Sequence, residues 1–434
     1  MDTTPKANVL VLLIGEVLED PRVYKTCTSL RAAGADVSVA CTTLSRTTPR
    51  ETHAGLDIIR FPHPKEFVVK RLYNGLQGFL KPGVSRAVSQ IHEEVPKSSV
   101  KALLRNTVLS MNFRHSLRGA QNVNRQMVKM FDRGKGKNST AGLSHDGPVF
   151  DLAHCNDIET LTAGVALKKN GVARKLLYDT HEFWPGIGVH GSAPNAALRA
   201  LEASLIDQAD YVVTVNSMIA DLMRSEYGLA QTPTAVMNCP PRFEGAVATD
   251  DVHEPVRVLY QGKVQAYRGL ESLVLAFRHI EGAVLTISGW GPLTDRLKRL
   301  ISSEGLDAKI TMTGKYLPEN TMDIVTRHDI GVLPFDPVTI SIQYSSPNKL
   351  FDYCMGGLAV AANDLPFLKR FVGDHEIGSV FTSNEPEIIA ESLNAMIADT
   401  GKLVKYKKKA RSVAMEQYFW DRQFENYPFI IGDK

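Results

Sequence analysis

From the eighth residue onward, short apolar runs of strand length alternate with helix-length segments, and that rhythm leaves room for little besides parallel sheets. Asn8 to Ile14 reads as a buried strand, Asp20 to Ala33 as a helix stopped by Gly34, and Asp36 to Cys41 (D-V-S-V-A-C) as a second strand. A strand–helix–strand order of this kind pairs its strands in parallel through a right-handed crossover. The rhythm breaks after about residue 64 and resumes with strands at Asp151–Cys155 and Lys175–Asp179, a helix at Asn195–Gln208 and a strand at Tyr211–Val215. Pro240-Pro241 and the polar run Thr249–Glu254 then mark a linker. A second series follows at Val256–Tyr260, Ala283–Ser288, Lys309–Thr313, Ile330–Pro334 and Leu358–Ala362. The 434 residues exceed what one core accommodates, and the size rule favours two domains of about 200 residues each. The expectation is therefore an α/β chain of two doubly wound, Rossmann-like domains, 1–243 and 244–414, followed by a C-terminal segment 415–434.

Charge is distributed less evenly than the net +3 suggests. Residues 64–137 hold fifteen Lys and Arg against four acids, a local +11, which leaves −8 for the remainder. This stretch interrupts the first domain as a basic insertion at about 64–147, with helical patterns at Phe67–Phe79 and Val100–Phe131 and a Gly/Lys/Ser-rich loop from Arg133 to Gly147. Two readings stay open: docking on an anionic membrane face or a phosphorylated lipid, and a solvated helical surface. Nucleic acid is disfavoured, because aromatic residues are sparse in the stretch and no nucleic-acid-binding module is recognisable. The five cysteines are scattered and never form a C-x-x-C pair, which fits a reducing cytosol. With no leader pattern and no apolar run of membrane-spanning length, the expected location is cytoplasmic, with peripheral attachment to the inner membrane face as the alternative.

Ligands of open α/β sheets bind beyond the carboxyl ends of strands, and four such places carry suggestive residues. Q-G-K-V-Q-A-Y-R-G-L follows the strand Val256–Tyr260; Gly262 allows close backbone approach, while Lys263 and Arg268 set two cations beside a helix start. Cations and a helix dipole together suit a diphosphate, although a solvated loop with ordinary surface cations explains the same letters. S-S-P-N-K-L-F-D-Y-C-M-G-G-L-A-V places Lys349 and Asp352 three apart, on one helix face just after Asn348. Y-D-T-H-E-F-W-P offers His181 and Glu182 at a strand end, and H-C-N-D-I-E-T-L offers Asn156 and Asp157 at the preceding one. The chain has no G-x-x-x-x-G-K-[ST] loop, no H-E-x-x-H helix and no D-x-D pair. Without an acidic metal cradle, fixed cations would neutralise a leaving diphosphate, and Lys263, Arg268 and Lys349 are the available ones.

These segments resemble the GT-B, family-4 retaining glycosyltransferases over nearly the whole chain. D-P-R-V-Y-K-T-C-T-S-L-R-A-A-G-A-D-V-S-V, Y-D-T-H-E-F-W-P, the stretch Glu202–Asp221, S-G-W-G-P and above all S-P-N-K-L-F-D-Y-C-M-G-G-L-A-V-A-A-N-D-L-P carry the likeness. The resemblance implies two domains facing across a cleft, with the C-terminal helix near Trp420–Tyr427 crossing back to the first. It implies a nucleotide-sugar donor as substrate, no cofactor and no metal. Lys263 and Arg268, assisted by Lys349, would hold the donor diphosphate, and His181 would approach the transferred sugar. Tyr316 and Leu317 would meet the base; Gly15, Gly262, Gly289, Trp290 and Asn348 would line the donor site; Asp352 would stand near the ribose. Asn156, Asp157 and Glu182 are expected on the acceptor side.

Three positions depart from the family pattern. Asp352 is one methylene shorter than the usual Glu, Tyr344 replaces an acid eight residues earlier, and a Gly-Gly pair is reduced to Gly15-Glu16. The expected activity is hexosyl transfer to a glycan or lipid-linked acceptor in surface polysaccharide or glycolipid synthesis. Two other readings stand beside it: a non-catalytic nucleotide-sugar-binding or scaffold protein, and a nucleotide-sugar epimerase.

Overall fold

The computed structural model describes residues 7–43, 49–62, 120–131, 149–187 and 193–429. Two compact units emerge. The first comprises Met1–Thr214, Met223–Thr234 and Pro428–Lys434, and the second Val215–Leu222 and Ala235–Tyr427.

The first unit is built on an eight-stranded sheet. Its strands are β1 (Asn8–Leu12), β2 (Asp36–Thr43), β3 (Arg50–His53), β4 (Leu56–Pro62), β5 (Phe150–Asn156), β6 (Ala173–Thr180), β7 (Tyr211–Thr214) and β8 (Thr234–Ala235), in the order β3-β4-β2-β1-β5-β6-β7-β8. Val9 to Leu12 are fully buried, as expected where a parallel sheet is covered on both faces. The helix after β1 spans Pro21–Ala32: Asp20 accepts from the backbone N–H of Arg22 and Val23, and Pro21 sits where a missing N–H costs nothing. β3 and β4 form an antiparallel hairpin, with Ala54 and Gly55 both at positive φ in its turn.

The second unit carries β9 (Val256–Gln261), β10 (Ala283–Ser288), β11 (Ile310–Gly314), β12 (Ile330–Leu333), β13 (Ala359–Asn363) and β14 (Gly378–Phe381), in the order β11-β10-β9-β12-β13-β14. All five neighbouring pairs in this order are parallel. One core layer gathers Val258, Tyr260, Leu285, Val332 and Phe277; another gathers Leu259, Phe351, Tyr353, Val360 and Leu368. The sheet is thus covered on both faces.

Strand order reverses direction between β1 and β5 in the first sheet and between β9 and β12 in the second. Such reversals open a crevice beyond the strand ends, because the flanking connections leave to opposite faces. The segments His154–Leu161 and Gln261–Leu270 begin at these two places, while Tyr178–Pro185 follows the neighbouring strand β6 and Ser345–Val360 leads from the β12 side into β13.

Of the basic stretch, only 120–131 is described, and it is a helix. Ala120, Val123 and Met127 are buried, whereas Arg125 and Lys129 face outward. The readings at Phe67–Phe79 and Arg133–Gly147 lie outside the described residues. Near the C-terminus, the last helix among the described residues is Trp420–Phe424; it groups with the second unit, and Pro428–Lys434 groups with the first. Trp420 explains this, since its backbone N–H donates to Pro240 O at 2.8 Å within the second unit.

Candidate functional sites of the two units

In the second unit the loops after β9, β10 and β12 are tied together by backbone. Gly262 N–H donates to Ser288 O (2.8 Å), Val264 N–H to Trp290 O (3.0 Å) and Asp336 N–H to Tyr267 O (3.1 Å). A Cβ on Gly289 would lie 1.8 Å from Gly262 O, so only glycine permits this approach. The β10–β11 register shifts at Ile287–Ser288, where the chain turns into that contact.

Onto this framework the structure brings Arg268 and Lys349. The Arg268 guanidinium carbon stands 4.9 Å from the centroid of the Phe335 ring, and Lys349 Nζ stands 5.3 Å from the same ring and 4.1 Å from that of Tyr260. Gly262 gives Lys349 its space: a Cβ there would sit 3.0 Å from Nζ. Neither cation is ion-paired among the described residues. Burial, and then the neighbouring Arg268 charge, push the Lys349 ammonium well below its ordinary value; Asp352 opposes them. Arg268 and Lys349 thus share one aromatic ring, that of Phe335.

Asp352 is held by Gln261, whose Nε2 donates to Oδ2 at 2.9 Å. Gln261 is itself fixed by Tyr353, whose hydroxyl accepts its backbone N–H at 3.0 Å. Tyr316 lies close enough that burial and the Asp352 charge push its phenol up to about 12. Trp290 and Leu317 are 57% and 54% exposed, unusual for large apolar residues, and Lys315 Nζ lies 5.9 Å from the Trp290 ring. Lys263 is not brought to the pair: its side chain is exposed, and only its backbone carbonyl is engaged, by the Tyr260 hydroxyl at 2.9 Å. Asn348 is exposed at the start of the helix Asn348–Met355, and Tyr344 ends the short helix before it.

In the first unit the ends of β5 and β6 carry a cluster of charges. Asp157 opens the helix Asp157–Lys169 at φ 61°, a conformation that non-glycine residues rarely adopt. Its Oδ1 accepts from His181 N–H (2.9 Å) and Trp184 Nε1 (3.0 Å), and its Oδ2 stands 3.3 Å from His181 Nδ1. Asn156 is buried, donating from Nδ2 to Leu12 O at 3.0 Å. Glu182 is exposed, its backbone carbonyl accepting the Thr180 hydroxyl at 2.7 Å. Gly15 follows β1 and accepts from Thr42 N–H (3.0 Å), and Glu16 beside it forms a buried two-pronged pair with Arg60 at 2.8 and 3.0 Å.

Beneath the cluster lies a group that sequence reading missed. Arg22 donates to both Asp179 oxygens, at 3.2 and 2.7 Å, with both residues buried. His154, fully buried, has Nε2 at 3.9 Å from Asp179 and is pushed down to about 4, chiefly by burial. Burial pushes the Asp179 carboxyl up, but the Arg22 charge, then His181, the Arg22 hydrogen bond and His154, outweigh it and hold the group below its ordinary value. The available signal was a charged residue in the first helical turn and another inside an apolar strand end. Among the described residues, no group of three or more His, Cys, Asp or Glu is placed to hold a metal ion, and no helix is long and apolar enough to cross a membrane.

Residues 20–240 match the family model described as glycosyl transferase 4-like domain, and 248–413 match glycosyl transferases group 1. Among solved structures, sucrose-phosphate synthase (tll1590) from Thermosynechococcus elongatus is similar at 15% identity and TM-score 0.63, with 96% of each chain covered. Anabaena Alr3699/HepE in complex with UDP is similar at 13% identity and TM-score 0.62, covering 96% of this chain and 97% of that one. A trehalose-6-phosphate protein from E. coli bound with UDP-2-fluoro glucose has 10% identity and TM-score 0.63, covering 98% and 100%. These likenesses show the GT-B fold. No curated protein matches the chain.

Proposed function

The chain belongs to the glycosyltransferase 4-like family, and on that premise we propose that it transfers a hexosyl group from a nucleotide-sugar donor, retaining anomeric configuration and using no metal ion. The observation that carries the reading is the convergence of Arg268 and Lys349 on the Phe335 ring, with no carboxylate among the described residues forming an ion pair with either. A diphosphate would supply the missing anion. As the donor bond breaks, negative charge grows on the leaving group, and fixed cations in a partly desolvated site stabilise that charge more than the ground state. HepE, bound to UDP, and the E. coli protein, bound to a UDP-sugar analogue, make UDP-sugars the first donors to try.

Within this proposal Gly262, Gly289, Trp290, Tyr316, Leu317, Asn348 and Asp352 surround the donor, and Lys263 is a third cation that would have to reach the diphosphate from its exposed position. His181 approaches the transferred sugar. The acceptor hydroxyl attacks from the face that the diphosphate leaves, through an oxocarbenium-like state. The acceptor is a glycan or a lipid-linked sugar of a surface polysaccharide or glycolipid. The charge asymmetry of residues 64–137 favours an anionic membrane face as the place of work.

Turnover of a labelled UDP-sugar panel tests the assignment. Arg268→Ala and Lys349→Ala should each lower kcat/KM about a hundredfold, the usual loss when a leaving-group stabiliser worth about 3 kcal/mol is removed. Near-normal turnover in both variants would refute the site. EDTA should leave the wild-type rate unchanged, and a rate lost to EDTA and restored by magnesium would remove the metal-independent mechanism. Donor binding without any turnover would favour the scaffold reading.

A further inference from the structure

We infer that Asp157 is a positioning residue for His181, holding the imidazole in one orientation and one tautomer rather than receiving the acceptor; this deepens, and rests on, the glycosyl-transfer reading above.

The geometry leaves Asp157 little capacity for a substrate. One oxygen accepts two N–H groups, from the His181 backbone and the Trp184 indole, and the other faces His181 Nδ1 at 3.3 Å. A single carboxylate therefore fixes the main chain, the ring and the flanking indole of the segment that follows β6. The contact with Nδ1 is favourable only when that nitrogen carries the proton, which leaves Nε2 as the acceptor nitrogen of the neutral ring.

What surrounds Nε2 agrees with a group kept for use. It is the one nitrogen among the buried side-chain atoms of the described residues that have no hydrogen-bond partner. Asp179 Oδ2 is nearby at 3.8 Å but does not take Nε2 as a hydrogen-bond partner, and its charge is already answered by both prongs of Arg22. Unpaired buried polar atoms are uncommon in proteins, and here an imidazole nitrogen without a partner lies beside a carboxylate that already fixes the other side of the same ring.

Backbone strain points the same way. Asp157 holds φ 61° at the first position of its helix, a state that costs a residue other than glycine about 1–2 kcal/mol. The strain turns the carboxylate from the end of β5 toward the segment after β6. Glycine would relieve the backbone, yet it could not make any of the three contacts.

The test compares Asp157→Asn, Asp157→Gly, His181→Ala and the double variant Asp157→Asn/His181→Ala in steady-state transfer, with thermal midpoints measured alongside. Both Asp157 variants should lose about tenfold or more in kcat, as when an orienting partner is removed, while donor KM stays within about twofold. Asp157→Gly should do so without a fall in midpoint large enough to explain the loss. The double variant should be no slower than His181→Ala, because the two residues act as one unit. Normal kcat in Asp157→Asn, or losses that multiply in the double variant, would overturn the inference while transfer itself stands. A wild-type chain that turns over no nucleotide sugar would overturn the glycosyl-transfer reading, and this inference with it. Nitrogen-15 labelling of histidine gives a readout without turnover: a His181 signal with Nδ1 protonated supports the assignment, and one with Nε2 alone protonated contradicts it.

Discussion

At the scale of single residues, the second-unit site depends on how closely backbone segments approach one another. Gly289 meets Gly262, and Gly262 makes room for the Lys349 amine. Gly289→Ala would place a methyl group against the Gly262 carbonyl and force it into a positive φ, at a cost of more than about 2 kcal/mol. The expected outcome is a lower denaturant midpoint together with loss of the thermal shift that UDP produces in the wild type; an unchanged shift would mean the two loops are not coupled. The positions of Arg268 between a strand end and a helix and of Lys349 at a helix start were legible in the sequence, because a βα-loop and a Pro before a helix are local signals. The sequence could not show that both cations share Phe335, which belongs to a third loop. Nor could it separate Lys263 from them, since exposure depends on what surrounds the turn. Asp157 was legible as a strand-end acid, but its attachment to His181 and Trp184 was not.

The element scale shows how strands and helices are tied where no motif advertises the tie. Glu202, on the helix Ala193–Leu205, accepts from Tyr178 of β6 and from Tyr227, each at 2.6 Å. Burial pushes its carboxyl from 4.5 up to about 7, against the lowering effect of the two hydroxyls. Below pH 4.5 the acid is protonated in both folded and unfolded chains. Between about 4.5 and 7 the folded chain alone keeps the proton, so this contribution to stability falls as pH rises and is gone above 7. Glu202→Gln should therefore gain stability relative to the wild type between pH 5 and pH 8, on the order of 3 kcal/mol. Denaturant midpoints at the two pH values measure it, and a constant difference would show that Glu202 is ionised at both. Strand existence was well read from apolar runs, with ends moved by a residue or two, as at β11 and β13. The hairpin β3–β4 and the edge strands β8 and β14 escaped notice. β3, β8 and β14 are short and at most half-buried, and an edge strand needs no continuous apolar run, whereas β4 is a buried apolar strand passed over beside the break in the rhythm.

At the scale of the whole molecule, each unit holds charged residues near the carboxyl ends of its parallel strands, and a basic stretch lies outside that scheme. In the described helix 120–131, the apolar positions are buried and Arg125 and Lys129 are outward, which is the arrangement a surface-facing cationic segment requires. Flotation with vesicles containing phosphatidylserine should carry the chain upward at low salt, and binding should weaken as ionic strength shortens the reach of surface charge. Equal behaviour with neutral phosphatidylcholine vesicles would leave a solvated face as the reading of this stretch.

Most of the strand–helix order, the parallel sense of the main pairings and the strand ends that bear charge were present in the sequence by itself, because periodicity, caps and crossover handedness act over a few residues at a time; the antiparallel hairpin β3–β4 and the strands β8 and β14 were not. Tertiary structure alone decided which of those charges meet: that Arg22 from the first helix neutralises Asp179 of β6, that Phe335 underlies two cations, and that Asp157 turns toward His181. Each of these contacts joins segments far apart in the chain. Their meeting is set by strand order, and strand order minimises the exposed area of the whole unit rather than satisfying any local pattern.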